Sequence, residues 1–217
     1  MSVSVQIKNY QALKQQLEDM KKAPKAVMKA MTSDAKTRVP PWVAKEVSKV
    51  YGVSKGDVSS GTLGKMTVRG DVLKDLTFTY RGHLLTPTHF GMMPKAPKTG
   101  GSYTLKATII RGQRATLSKV KKLTKKQKKQ LGLNFRRMGT RNSPTSPYML
   151  QTTGAKSASK TQFIPFQRQS QPGKMDHVMR TVSLPQMVSG RASEGIHKAI
   201  NDGLQKRLEH HMKRYMG

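Results

Sequence analysis

The spacing of apolar positions along this chain changes from strand period to helix period and back, and each change predicts a new element. Val3, Val5 and Ile7 alternate with Ser4 and Gln6, the two-residue period of a short strand. Asn9 then offers an N-cap, and Tyr10, Leu13, Leu17 and Met20 fall on one helical face. After Pro24 a second helical stretch carries Val27, Met28, Met31 and Ala35 on one side. Pro40 and Pro41 lack the amide hydrogen that a helix interior uses, so a break is expected there. A third helix is then expected from Pro41 to Tyr51, with Trp42, Val43, Val47 and Val50 inward and Gly52 as its stop. Trp42 is the only tryptophan and is expected to anchor these helices against a sheet.

Beyond the turn-rich YGVSKGDV, strand period returns. Leu63 to Arg69 and Leu73 to Arg81 alternate, and Tyr103 to Leu117 reads as two strands joined at Arg111-Gly112. Tyr148, Leu150 and Thr152, then Val178 to Val182, are further alternating pieces. From Ser189 onward Ile196, Ile200, Leu204, Leu208, Met212 and Tyr215 keep helical spacing, predicting a closing helix about 40 Å long. These elements predict an α+β fold: N-terminal helices and a long C-terminal helix packed on a mainly antiparallel sheet, with a basic insertion. The expected segments are a helical one over 1–52, a β-rich one over 53–188 with the insertion at about 118–147, and the closing helix over 189–217.

Charge changes this picture most. The chain of 217 residues carries a formal net charge of +30, and its 35% hydrophobic content and mean hydropathy of −0.62 predict a modest core. Between Leu76 and Met175 there is no Asp or Glu, while twenty Lys and Arg give that stretch +20. Its densest part holds Lys119, Lys121, Lys122, Lys125, Lys126, Lys128 and Lys129, followed by Arg136, Arg137 and Arg141. Leu123, Leu131, Leu133 and Phe135 interrupt it, and Thr124 offers a cap for a short helix through Gln130. Such a segment is either a solvated loop or surface helix, or a comb of cations lying against phosphate. The absence of nearby acid favours the comb, which would neutralise DNA without reading its bases.

The remaining chemistry is sparse. With no cysteine, disulfides and thiolate chemistry are excluded. The eleven acids are scattered, with no close pair suited to general acid and base work, and the six histidines form no HExxH or other ligand spacing. Neither GxxxxGK[ST] nor GxSxG occurs, so neither an enzyme nor any metal or cofactor is expected. No apolar run is long enough to span a bilayer, and MSVSVQIKNY lacks the features of a secretion signal, so no membrane partner is expected.

Several stretches in order resemble the minor tail protein Z family of long-tailed bacteriophages, also described as tail completion proteins. They are KAVMKAMTSDAKTRV, VSKVYGVSKGDV, RGHLLTPTHFG, YTLKATIIRGQR, FIPFQRQ, VSLPQMV and the terminal LQKRLEHHMKRYM. Relative to that family pattern, Lys119 to Arg141 is an insertion. The resemblance implies a structural virion protein at the head-proximal end of the tail, made in the host cytoplasm, which completes the tail for head joining and lets DNA pass. It implies a homo-oligomeric ring, commonly six-fold, touching the tail terminator, tail tube, neck or connector proteins and the tape-measure protein, with phage DNA in the channel. Phe163, Phe166, Arg168, Leu184, Pro185 and Met187 from the late motifs, with Leu204, Leu208 and Met212 of the closing helix, would then lie between subunits. The alternative from charge alone is a monomeric protein that binds nucleic acid nonspecifically, associated with ribosomes or with DNA packaging.

Overall fold

A computed structural model describes residues 2–6, 15, 24–96, 103–120, 148–151, 163–167 and 177–216. The chain is α+β, with antiparallel sheets, and it divides into two compact units. The first comprises residues 1–83 and 182–217, and the second, 84–181, is inserted between them. The expected boundaries after residues 52 and 188 are therefore corrected: the change of period at Tyr51 marks a new element, not a new domain. Strands and helices on either side of Tyr51 share one core.

In the first unit β1 (Ser2–Gln6), β2 (Lys65–Arg69) and β3 (Thr77–Arg81) form an antiparallel sheet in the order β1-β3-β2. β3 is central, and its Phe78 and Tyr80 face the core. The helices are α1 (Pro24–Val50), α2 (Lys55–Ser59), α3 (Leu184–Ser189) and α4 (Ser193–Met216). The helix expected over residues 9–20 lies outside the described residues apart from helical Gln15.

The expected break at Pro40-Pro41 does not occur, since α1 runs through both prolines. Its apolar row keeps phase across them: Val27, Met31, Ala35, Val39, Val43 and Val47 are all at most 1% exposed. Two carbonyls lose their amide partners, at about 3 kcal/mol per proline. Each buried Val or Met of the row contributes about 1.5–3 kcal/mol, and a break would put half of the row out of phase. Because four residues advance the helix by about 400°, the row slides around α1, which packs on α4, α2, the 3-10 turn Leu73–Asp75 and α3.

The chief partner of α4 is α1 rather than the sheet. The two helices are antiparallel: Asp34 meets Arg207 and His211, Trp42 meets Gly203, and Glu46 lies by Gly195. Ile196, Ile200, Leu204 and Leu208 line the α4 seam, but the buried row then steps to His211. Met212 is half-buried and Tyr215 exposed, because a further step of four would carry the row off the seam, whereas a step of three restores its phase. Short α3 is held by a capping box, in which Ser183 Oγ accepts from Gln186 N and Gln186 Oε1 accepts from Ser183 N at 2.8 Å.

The second unit contains the hairpin of β4 (Tyr103–Ile110) and β5 (Gln113–Val120), and a sheet β6-β7-β8 of Tyr148–Gln151, Phe163–Gln167 and His177–Val178. Met92, Tyr103 and Leu105 form a small core, with Leu117, Phe163 and Met179 packed against it. Near the ends of this unit the Leu85 carbonyl accepts from both the Thr181 amide, at 2.7 Å, and its hydroxyl, at 2.9 Å. The strand expected over 178–182 is shorter than its alternation suggested, because Thr181 is spent on this clasp.

Trp42 corrects another expectation: it packs on α4 rather than on a sheet. A Cβ added at Gly203 would lie 2.6 Å from its Cζ3 and 2.7 Å from its Cζ2. In an open helix Gly→Ala gains about 1 kcal/mol. Here Gly203→Ala is expected to lose about 1–3 kcal/mol in urea denaturation, and to become stabilising once Trp42→Ala has removed the ring. A Gly203→Ala chain more stable than the native one would show that the ring is free to swing away.

Candidate nucleic-acid interface and helix-pair ion cluster

The division into units sorts the charge. Residues 84–181 hold twenty Lys and Arg against Asp176 alone, a net +19 of the chain's +30. The other ten acids belong to the first unit, where Asp34, Glu46 and Asp71 make ion pairs. Among the described residues of the second unit, Lys95, Lys106, Arg111, Arg114 and Arg180 make none.

Three of those cations stand on the β4–β5 hairpin. Its base is buried at Tyr103, Leu105 and Ala107, and it is exposed from Arg111 through Thr116. Gly112, at φ 79°, makes the second position of a two-residue turn, and a Cβ there would meet nothing within 4 Å. Arg111 and Arg114 at the tip are thus exposed, as is the side chain of Lys106, whose backbone pairs with Met93. Lys119 lies near the end of β5, paired in register with Thr104. Lys121, Lys122, Lys125, Lys126, Lys128, Lys129, Arg136, Arg137 and Arg141 lie outside the described residues, in the connection from β5 to β6.

The residues expected between subunits are mostly committed elsewhere. Leu184 and Met187 of α3, and Leu204 and Leu208 of α4, are at most 1% exposed, and Pro185 is buried with them. They fill the chain's own core and leave no surface for a neighbour, which corrects their assignment to an interface. Half-buried Phe163 packs in the small core of the second unit. Phe166, on β7, and Met212, on α4, are half-buried, and Arg168 lies outside the described residues.

A half-buried ion cluster between α1 and α4 escaped the reading of the sequence. Asp34 Oδ2 accepts from Arg207 Nε and lies 2.8 Å from His211 Nε2, while Oδ1 accepts from Arg38 Nε at 3.2 Å. His211 is 5% exposed, and its Nδ1 is buried with no partner. Burial alone would push the Asp34 carboxyl up. The hydrogen bonds from Arg207, His211 and Arg38, with the Arg207 charge, outweigh burial and hold it at about 2, below its ordinary 3.8. The available signal was Arg207 and His211 four apart beside the apolar row of α4, facing one of few acids. One turn away, Trp42, Lys45, Glu46, Ala199, Asp202, Gly203, Lys206 and Arg207 line a cleft of about 310 Å³.

Among the described residues no group of three or more His, Asp or Glu is placed to hold a metal ion. The hydroxyls of Tyr80 and Tyr103 are buried without a partner, and burial pushes both up. Comparison with protein-family models, curated proteins and solved structures finds no match to this chain.

The sign of the pH dependence follows from the depressed Asp34 carboxyl. Its stabilisation is complete above the ordinary 3.8 and is lost as pH falls toward about 2. Asp34→Asn is therefore expected to cost about 1–2 kcal/mol at neutral pH, discounted for partial exposure. Thermal melts should show a gap of about 2–8 °C from the native chain, closing as pH drops from 4 to 2. A gap that stays constant over that range would contradict the assignment.

Proposed function

We propose that this chain is a structural protein of a long-tailed phage, a tail completion protein forming a ring at the head-proximal end of the tail. Its inserted basic unit lies against the DNA that passes through. The observation that carries this reading is the segregation of +19 into one inserted unit whose described cations make no ion pairs. A surface of that kind repels its own copies unless a polyanion lies beside it, and a ring multiplies the repulsion. The ordered series of stretches that resemble the minor tail protein Z family supplies the tail and the ring. Phosphate contact by Lys119 to Arg141 and the hairpin tip is electrostatic, so DNA is held without sequence preference and can still slide.

Light scattering on the native particle is expected to give several times the mass of the 24.2 kDa chain. A single-chain mass in the presence of tail components would favour the monomeric nucleic-acid-binding reading. Replacing Lys121, Lys122, Lys125, Lys126, Lys128 and Lys129 by Gln should leave the ring intact. The slope of log affinity for DNA against log salt should become shallower by about five. Unchanged DNA retention with lost assembly would assign those lysines to protein contacts.

A further inference from the structure

The sheet of the first unit carries a second charged feature. Phe78 and Tyr80 face the core, so Thr77, Thr79 and Arg81 of β3 occupy the outer face. β2 places Lys65 opposite Arg81, Thr67 opposite Thr79 and Arg69 opposite Thr77, and the β1 positions in the same rows are Ser2, Ser4 and Gln6. These nine positions include three cations and no acid.

Lys65 and Arg81 are the unusual pair. Residues directly opposite in an antiparallel sheet have Cβ atoms about 5 Å apart, and like charges there destabilise the sheet. Both side chains are exposed, and neither makes an ion pair among the described residues. The carboxylates of the β2–β3 connection, Asp71 and Asp75, lie beyond the opposite, Arg69 end of the ladder, and Asp71 is paired with Lys36.

The backbones approach closely beside the pair. A Cβ at Gly64 would come within 3.3 Å of the Arg81 carbonyl carbon, and one at Gly82 would lie 3.1 Å from the Leu63 oxygen. On that side of the sheet the glycines make room for Leu184 and Pro185 of α3, while Lys65 and Arg81 lie on the opposite face. An edge lysine by itself is an ordinary guard against strand addition, which accounts for Lys65 on β2. Arg81 is on the central strand, where no edge needs guarding.

We propose that Lys65 and Arg81 form a phosphate seat for a nucleic-acid backbone, on the outer face of the first unit and made of other residues than the lysine comb. A phosphate between them turns a repulsive pair into two charge-assisted contacts. Arg69, four residues along β2 and so about 13 Å away, extends the track. The inference rests on the reading that this chain meets nucleic acid, but not on its assignment to a phage tail.

The full-length Lys65→Gln/Arg81→Gln chain provides the test, with a fluorescein-labelled mixed-sequence DNA duplex as probe. Without DNA it should melt about 1–3 °C higher than the native chain, since the repulsion is gone. It should bind the duplex several-fold more weakly at physiological salt, with a slope of log affinity against log salt shallower by about one. A comb variant, Lys125→Gln/Lys128→Gln, should flatten the slope without raising the melt. Native affinity and slope in the sheet variant would overturn the proposal and leave the face to an acidic protein neighbour. A lower melt would overturn it as well, by showing that the pair serves the fold. Failure of the tail reading would appear in particle mass, which the duplex assay does not report.

Discussion

One carboxylate facing three basic side chains pins the helix pair on which the first unit is built. Asp34 takes hydrogen bonds from Arg38 on its own helix and from Arg207, and contacts His211, across the seam. Apolar rows can slide along one another by a turn with little penalty, whereas a mostly buried carboxylate with fixed partners cannot. The Trp42 ring on Gly203 sets the same register a few turns away, since only glycine leaves room for it. Between these two points α1 and α4 run antiparallel, continuous through Pro40 and Pro41.

Fixing the helix pair matters because of what is inserted into the unit it stabilises. Ten of eleven acids lie in the first unit and are available for its internal pairing, while the insertion keeps one. Folding is thus served by a unit of moderate charge, and a small core, closed by the Thr181–Leu85 clasp, supports the strongly cationic one. That separation lets a chain of net charge +30 keep most of its acids where they pair internally and most of its excess cations in the inserted unit.

Local features were legible from residue patterns. The β4–β5 hairpin was readable from alternation around Arg111-Gly112, and the α4 stripe was readable as far as Leu208. Long-range features were not. Asp34 and Arg207 are 173 residues apart, and nothing local to either announces the other. The two prolines outweighed an apolar row whose unbroken phase, Ala35 to Val39 to Val43, already argued for one helix. Leu184, Met187, Leu204 and Leu208 were read as interface residues because an apolar position that fills its own core looks the same in sequence as one that fills a neighbour's. The candidate site was legible only as charge: its density was plain, but its concentration in one inserted unit required the fold.

Image reconstruction of the intact neck of the particle tests the central claim most directly. The account predicts several copies arranged around a channel, with residues 84–181 and the cationic side chains from Lys119 to Arg141 turned toward DNA or an acidic ring. Those side chains pointing into open solvent from a lone subunit, away from any channel or anionic neighbour, would contradict it.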